Sequence, residues 1–137
     1  MNAQEIATKA HEGQFRRDGV TPYIKHPEEV ASFFHETSWL WEIAWLHDVL
    51  EDTEWTENDL FEAGIDYIVI EAVKLLTHRK DVSYEGYVEL LMESLSLTAA
   101  ADYAKQVKLI NIAVNLGDSP TPKQVKKYAE ALKVLCS

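Results

Sequence analysis

Helical periodicity is the feature that most restricts how this chain can fold. Apolar residues recur at the spacing of a helical face along nearly all of the 137 residues, and no segment alternates convincingly with the period of two that a strand requires. Without strands, apolar faces can be buried only by packing helix against helix. We therefore predict an all-α fold, a compact helical bundle.

Local start and stop signals place the helix ends. Asn2 with Glu5 forms a capping pair, and Thr121-Pro122-Lys123-Gln124 combines a capping box with a proline at the first helical position. Gly117 is a natural helix stop. The predicted helices cover roughly 2–13, 38–51, 66–77, 83–94 and 98–116, and others begin at Pro27, Thr56 and Thr121.

Composition restricts the class of protein. The balance of 47% hydrophobic and 26% charged residues is typical of a globular chain, and the length fits one domain over residues 1–137. The net charge of −10 argues against binding to nucleic acid or to an acidic membrane surface, since phosphates would be repelled. The single Cys136, the polar N-terminus and the short apolar runs predict a cytoplasmic protein without a membrane span.

The stretch "WLHDVLEDTEW" brings four titratable side chains into an otherwise apolar helix. On one continuous helix they fall within an arc of about 140°; they are His47, Asp48, Glu51 and Asp52. A histidine–aspartate pair with spare carboxylates one turn away could bind a metal and orient a water molecule. The alternative is a solvated charged face, although the flanking tryptophans would be unusual there.

Residues 16–27 carry further candidates. His26 precedes Pro27, which favours extended backbone at His26 and a fixed direction for its imidazole, as a metal ligand requires. A structural or solvated histidine is the alternative. Arg16, Arg17 and Lys25 form a basic cluster that could bind a phosphate-bearing ligand or could be surface charge.

A polar stripe crosses the apolar segment "VKLINIAVNL". Lys108, Asn111 and Asn115 lie at i, i+3 and i+7 and share one helical face. A buried amide without a partner is costly, so hydrogen bonds between helices or a bound ligand must satisfy the two asparagines. We therefore consider all three as candidates for the binding of a substrate or metal.

These stretches together resemble the HD-domain metal-dependent phosphohydrolases. The likeness is greatest to the hydrolase domain of the RelA/SpoT alarmone enzymes and to the stand-alone metazoan SpoT homologues, and it covers nearly the whole chain. Its ordered motifs, "PYIKHP", "LHDVLEDT" and "VKLxxxxxNL", are far more specific than one His-Asp dipeptide. The resemblance implies a compact HD-domain helical bundle and removal of the 3′-pyrophosphate of (p)ppGpp, giving GDP or GTP; no synthetase domain is expected here.

The resemblance also implies a role for each matched residue. His26, His47 and Asp48 match ligands of a divalent metal, usually manganese. Glu51 and Asp52 match the acids that serve catalysis. The nucleotide-binding matches are Arg16, which corresponds to an arginine that packs on guanine, the neighbouring basic Arg17, and Asn115, which corresponds to an asparagine that contacts the nucleoside.

Asn111 is the position at which the match breaks, because the family has an aspartate ligand there, in "KLAD" rather than "KLIN". An amide oxygen can coordinate a hard cation but brings no charge, so metal affinity should fall. Val114 stands where relatives often carry histidine, and the proline loop is one residue longer. Asp118 lies about 10 Å farther along the helix axis and cannot substitute.

Several interpretations stay open. The chain could be a weakened hydrolase, a nucleotide-binding protein without metal or catalysis, or a protein with an engineered Asp-to-Asn change, although the accompanying Ile110 and Val114 favour natural divergence. Another nucleotide or phosphoester is an alternative substrate. The expected partner is a small nucleotide, and the oligomeric state is left open. A solvated His78, a solvated "KQVKK" face, and packing roles for Tyr84 and Tyr87 are also expected.

Overall fold

The computed structural model describes residues 1–94 and 98–136. Over these ranges the chain forms nine α-helices and no β-strand. They are α1 (Ala3–Ala10), α2 (Lys25–Ala31), α3 (Trp39–Leu46), α4 (Val49–Asp52), α5 (Glu57–Glu62), α6 (Tyr67–Leu76), α7 (Tyr84–Ser94), α8 (Ala99–Leu116) and α9 (Pro122–Leu135). No helix in the described ranges is long and apolar enough to cross a bilayer. The prediction of an all-α fold is confirmed.

Most predicted helix ends are confirmed by the caps that the structure contains. The Asn2 side chain accepts a hydrogen bond from the amide of Glu5 at 2.9 Å, and Thr121 accepts one from the amide of Gln124 at 3.2 Å. Each pair forms a complete capping box. Gly117 is the C-cap of α8, as expected. Short-range capping chemistry therefore determines these ends.

The prediction of one continuous helix over 38–51 is wrong. Helix α3 ends at Leu46 and α4 begins at Val49, with His47 and Asp48 in a turn between them. The His47 ring donates from Nδ1 to the carbonyl of Ala44 at 2.6 Å. In a continuous helix that carbonyl would accept the backbone amide of Asp48. The imidazole of His47 therefore competes with the backbone amide of Asp48 for the carbonyl of Ala44.

The predicted start of the second helix is wrong by two residues. Pro27 is the third residue of α2, not the first, and His26 has helical rather than extended backbone. The first four amides of a helix have no partner within it, so a proline in the first turn removes no helical hydrogen bond. The first helix likewise ends at Ala10, before the predicted Gly13.

The core lies where α3, α6 and α8 pack together. Ile43, Leu46, Val69, Val73 and Ile112 are fully or almost fully buried there. Truncating such a side chain to alanine typically costs about 2–5 kcal/mol. Helices α2 and α9 pack on other sides of α8. The polar stripe of α8 therefore faces parts of the chain that are distant in sequence.

The segment between α1 and α2 is a compact loop. Gly13 and Gly19 have φ angles of 83° and 74°, in the left-handed region that favours glycine. The carboxylate of Asp18 accepts hydrogen bonds from the amides of Val20 and Thr21, both at 2.8 Å. The hydrogen bonds from Thr21 lower the pKa of Asp18 to about 2. The loop is therefore closed by its own bonds.

Candidate functional site

A cavity of about 350 Å³ is lined by residues from α2, α4, α7, α8 and α9, among others. Ten of the eleven sequence-predicted site residues line it, and Lys25 is the exception. The ten are Arg16, Arg17, His26, His47, Asp48, Glu51, Asp52, Lys108, Asn111 and Asn115. The amine of Lys25 lies 3.4 Å from Glu28 instead, where both side chains are exposed.

Two histidines and an aspartate meet within this cavity, and we call them the histidine–aspartate cluster (His26, His47, Asp48). The two rings are 5.3 Å apart between centroids. Oδ2 of Asp48 lies 3.0 Å from Nε2 of His47 and 4.0 Å from Nε2 of His26. Each residue offers a ligand atom within 4.8 Å of the others, so the cluster could hold a metal ion. His26 and His47 are buried, which rules out a solvated position for either ring, whereas Glu51 and Asp52 are exposed.

The hydrogen bonds of His47 leave one of its nitrogens without a partner. Because Nδ1 donates to the carbonyl of Ala44, the neutral ring has only a lone pair at Nε2. That buried nitrogen has no hydrogen-bond partner and faces the Asp48 carboxylate. Two lone pairs at 3.0 Å repel each other unless a proton or metal cation lies between them. The backbone bond on the opposite nitrogen is the usual support for a ligating histidine.

The pKa values of the histidine–aspartate cluster agree with this demand for a cation. Burial, reinforced by the neighbouring His47, lowers the pKa of His26 to about 4, so its ring is neutral near pH 7. Burial alone would raise the pKa of Asp48, but the adjacent histidines and a hydrogen bond from Tyr23 hold it well below its usual range. Burial opposes protonation of His47, but Asp48 raises the pKa of that ring.

Asn111 joins the histidine–aspartate cluster through its amide oxygen. Its Oδ1 accepts a hydrogen bond from His26 Nε2 at 2.7 Å and another from Asn115 Nδ2 at 3.3 Å. Asn115 also donates to the phenol of Tyr128 at 3.3 Å. The buried Asn111 is thus bonded to α2 and the half-buried Asn115 to α9, as one of the sequence interpretations expects. For Nε2 of His26 to bind a cation, its proton would have to move to Nδ1, which is buried without a hydrogen-bond partner.

The two acids of α4 lie at the edge of the cavity. Burial, together with the charges of Asp48 and Glu51, raises the pKa of Asp52 to about 6. A carboxylate with such a pKa can accept and release a proton near neutral pH. Oε1 of Glu51 accepts a hydrogen bond from the backbone amide of His78 at 2.6 Å. That bond orients Glu51 from a different part of the chain.

Tyr23 supports these acids and was not among the predicted site residues. Its phenol donates to Oδ2 of Asp48 at 2.5 Å and lies 3.5 Å from Oδ2 of Asp52. The ring packs on His11, which is buried and caps the end of α1. Gln14 bonds His11 and also donates to the backbone carbonyl of Asp52 at 2.7 Å. The tyrosine of the "PYIKHP" motif is the sequence signal that could have found this residue.

The two predicted arginines occupy the mouth of the cavity. Arg16 forms an ion pair with Asp118 at 2.9 Å, and its guanidinium lies 5.8 Å from the centre of the Tyr23 ring. Arg17 donates to the side chain of Gln124 and to backbone carbonyls just before α9. The loop after α1 is thereby tied to the N-terminal end of α9. The arginines are thus held by residues about a hundred positions away.

A set of lysines and tyrosines forms another side of the cavity, and we call it the lysine–tyrosine wall (Tyr84, Tyr87, Lys108, Lys127, Tyr128). Lys108 is buried against Tyr84 and Tyr87. Burial lowers the pKa of Lys108 to about 8.

One expectation for this side of the cavity is wrong, because His78 is half-buried and stacks on Tyr87 rather than being solvated. Tyr84 and Tyr87 pack against the core, as expected, and they also line the cavity. The three lysines of "KQVKK" are all exposed, as expected, and one of them, Lys127, also lines the cavity. The i, i+3 spacing of the two tyrosines was the available signal; nothing local distinguishes Lys127 from its neighbours.

Comparisons with known proteins show what this chain is similar to. The chain is 34% identical to guanosine-3′,5′-bis(diphosphate) 3′-pyrophosphohydrolase of Haemophilus influenzae over 96% of its own length and 20% of that protein. It is 36% identical to the bifunctional (p)ppGpp synthase/hydrolase SpoT of Escherichia coli over 64% of this chain and 14% of that protein. The chain thus spans about a fifth or less of the length of these relatives. No protein-family model matches it.

A solved structure shares the fold almost end to end. It is a metazoan orthologue of SpoT, described as hydrolysing ppGpp and acting in starvation responses. The TM-score is 0.74 at 25% identity, and the match covers 97% of this chain and 80% of that one. Sequence relatives and structural neighbour indicate the same group of proteins. In sequence and in fold, the chain is therefore similar to (p)ppGpp hydrolases of the SpoT type.

Proposed function

We propose that this chain is a metal-dependent hydrolase that removes the 3′-pyrophosphate of (p)ppGpp or of a closely related nucleotide. The observation that carries the proposal is the buried Nε2 of His47, which lacks a hydrogen-bond partner and faces Asp48 at 3.0 Å. Such a pair requires a proton or a metal cation between its lone pairs, and it lies in a cavity that also contains two acids and several basic side chains.

The donor set suits a divalent ion such as Mn²⁺. His26, His47 and Asp48 would hold it, and the amide oxygen of Asn111 would be a neutral fourth donor. Imidazole nitrogens and carboxylate oxygens match the preferences of such ions. When bound, the ion supplies Lewis-acid polarisation of a phosphoryl oxygen and increases the acidity of a water molecule.

Two acidic side chains would act on the attacking water molecule and its proton. Asp52, with its pKa of about 6, is suited to accept a proton from the attacking water, and Glu51 to orient that water. The water oxygen bonds to the phosphorus attached to the 3′ oxygen, and the bond from that phosphorus to the ribose oxygen breaks. Pyrophosphate leaves, the ribose oxygen receives a proton, and ppGpp becomes GDP.

The remaining proposed contacts hold the nucleotide. Arg16 would pack on the base, Asn115 would contact the nucleoside, and Arg17 and Lys108 would face phosphate groups. Arg16 and Asn115 line the same cavity as the histidine–aspartate cluster. The proposal treats residues 1–137 as one domain that acts in the cytoplasm on a small nucleotide rather than on nucleic acid.

The test is pyrophosphate release from ppGpp by the purified chain with added Mn²⁺. We expect turnover by the wild type and its loss in Asp48→Ala. Because Asp48 is central to the cluster, circular dichroism of Asp48→Ala and of the isosteric Asp48→Asn should verify that both fold. Absence of turnover across a panel of guanine and other nucleotides would defeat the proposal. Turnover of a different phosphoester alone would identify another substrate.

A catalytically silent nucleotide-binding protein is the second candidate, and Asn111 favours it. The residue is neutral, and its oxygen is already hydrogen-bonded to His26 and Asn115. Elemental analysis of protein purified with ample metal separates the two candidates. A stoichiometric transition metal supports the hydrolase, and its absence together with nucleotide binding supports the silent protein.

A further inference from the structure

Two amines of the lysine–tyrosine wall approach the same aromatic ring. Nζ of Lys108, on α8, lies 5.2 Å from the centre of the Tyr84 ring and 5.0 Å from that of Tyr87. Nζ of Lys127, on α9, lies 4.2 Å from the centre of the Tyr84 ring and 5.3 Å from that of Tyr128. Contacts with ring faces hold both amines at the cavity surface without neutralising them.

Neither amine has an ion pair or hydrogen bond with another residue in the described ranges, although the chain carries a net charge of −10. This is notable for Lys108, because only 7% of the residue is exposed. A buried charge without a partner is costly, and aromatic faces offset only part of that cost. An unpaired cation directed into a cavity therefore favours an anionic ligand.

The position of this pair identifies the kind of anion. The charge of Glu51 acts on both amines, so they border the acids proposed to activate water. The histidine–aspartate cluster lines the same cavity. An anion between the amines and the cluster would be close to the reacting bond. Two amines near one ring match two linked phosphates better than one, because a diphosphate carries more charge and spans a longer distance.

We propose that Lys108 and Lys127, oriented by the ring of Tyr84, form a diphosphate-binding subsite in which Lys127 selects a nucleotide with two linked phosphates over one with a single phosphate. The subsite rests on the proposed function for the identity of the nucleotide. It assigns a role to α9, which contributes no residue to the motifs of the family resemblance.

Titration calorimetry with inorganic pyrophosphate and inorganic phosphate tests the subsite. EDTA is present, so that metal chelation does not contribute. We expect Lys127→Met to weaken pyrophosphate binding about tenfold and phosphate binding less than about threefold, as expected for the loss of one charged contact. Lys126→Met is the matched control, because it removes the same charge from an exposed neighbour outside the cavity. Lys126→Met should bind pyrophosphate and phosphate with affinities within about twofold of those of the wild type.

Three calorimetric results would overturn the subsite: no pyrophosphate binding by the wild type, equal affinities in wild type and Lys127→Met, or an equal loss in Lys126→Met. Kinetics then separate the two proposals. If ppGpp is not hydrolysed but pyrophosphate binding depends on Lys127, only the proposed function fails. If ppGpp is hydrolysed and KM is unchanged in Lys127→Met, only the subsite fails.

Discussion

At the residue scale, the proposed metal site predicts that Asn111 limits metal affinity. Asn111→Asp should tighten Mn²⁺ binding at least about tenfold, because a carboxylate adds a full charge where the amide oxygen offers only a dipole. Titration calorimetry measures the change. Asn115→Asp adds the same charge one turn away without the direct bond to His26. An equal gain in both variants would show that Asn111 has no special position.

The proton-accepting role proposed for Asp52 predicts a pH profile of the rate. The carboxylate accepts a proton only when ionised, so the rate should fall as pH drops below about 6, the pKa of Asp52. Asp52→Asn should lower kcat by about 10²–10³-fold with little change in KM. Steady-state kinetics between pH 5 and 8 provide the measurement. Glu54→Gln, an exposed change outside the cavity, should keep the wild-type profile.

Lys108 should lower the free energy of unfolding, although we propose that it binds the phosphates of the ligand. Its folded-state pKa of about 8 lies below the ordinary value of 10.5, so folding around the charged amine is costly below pH 8. Lys108→Met should therefore raise the free energy of unfolding by roughly 2–3 kcal/mol at pH 7. This gain in the free energy of unfolding should shrink between pH 8 and pH 10.5. It should vanish above pH 10.5, where the amine of Lys108 is neutral in both the folded and the unfolded state.

Denaturant unfolding at pH 7 and pH 10 measures this difference, and Lys126→Met is the control that should show none. The more stable Lys108→Met protein should lose activity, since functional groups are often retained at a cost in stability. A variant that is less stable than wild type at pH 7 would contradict the prediction.

At the scale of elements, the turn between α3 and α4 separates the buried start of the segment 47–52 from its exposed end. The turn keeps His47 buried in the cluster, while Glu51 and Asp52 on α4 are exposed to the cavity and solvent. The turn therefore keeps a proposed metal ligand buried and the proposed proton acceptor exposed within six positions of the sequence.

The N-terminal cap of α9 is the element-scale prediction. The capping box at Thr121 begins the helix that carries Gln124, Lys127 and Tyr128 to the cavity. Thr121→Ala should lower the free energy of unfolding by about 1 kcal/mol and also weaken pyrophosphate binding. Thr121→Ser retains the hydroxyl and should behave like wild type in denaturation and calorimetry. Equal stability of all three proteins would contradict the role of the cap.

At the scale of the whole molecule, a metal ion should cross-link the bundle. His26 lies on α2, His47 and Asp48 between α3 and α4, and Asn111 on α8. An ion that binds only the folded state at a hundred times its Kd adds about 2.7 kcal/mol. We expect Mn²⁺ to raise Tm by several degrees and EDTA to reverse the rise, measured by thermal scanning. His47→Gln should abolish the shift; an equal shift there would place the ion elsewhere.

Much of the fold followed from local chemistry. The helical period and the caps at Asn2, Thr56 and Thr121 depend on residues within one or two turns, and the structure confirms them. The prediction of a continuous helix failed at His47, because the imidazole donates a hydrogen bond to the carbonyl of Ala44 and interrupts the helix. Hydrophobic periodicity cannot reveal this competition between a side chain and a backbone amide, because it assumes an unbroken series of backbone hydrogen bonds.

The sequence by itself determined the helical class, the helix caps and, through three ordered motifs, which side chains to examine together. Only the tertiary structure decided that Lys25 lies outside the cavity, that Lys127 enters it, and that Tyr23 bonds Asp48. Capping and periodicity act between near neighbours, whereas the surroundings of a lysine depend on how distant helices pack. Helix packing therefore determined which lysines face the cavity.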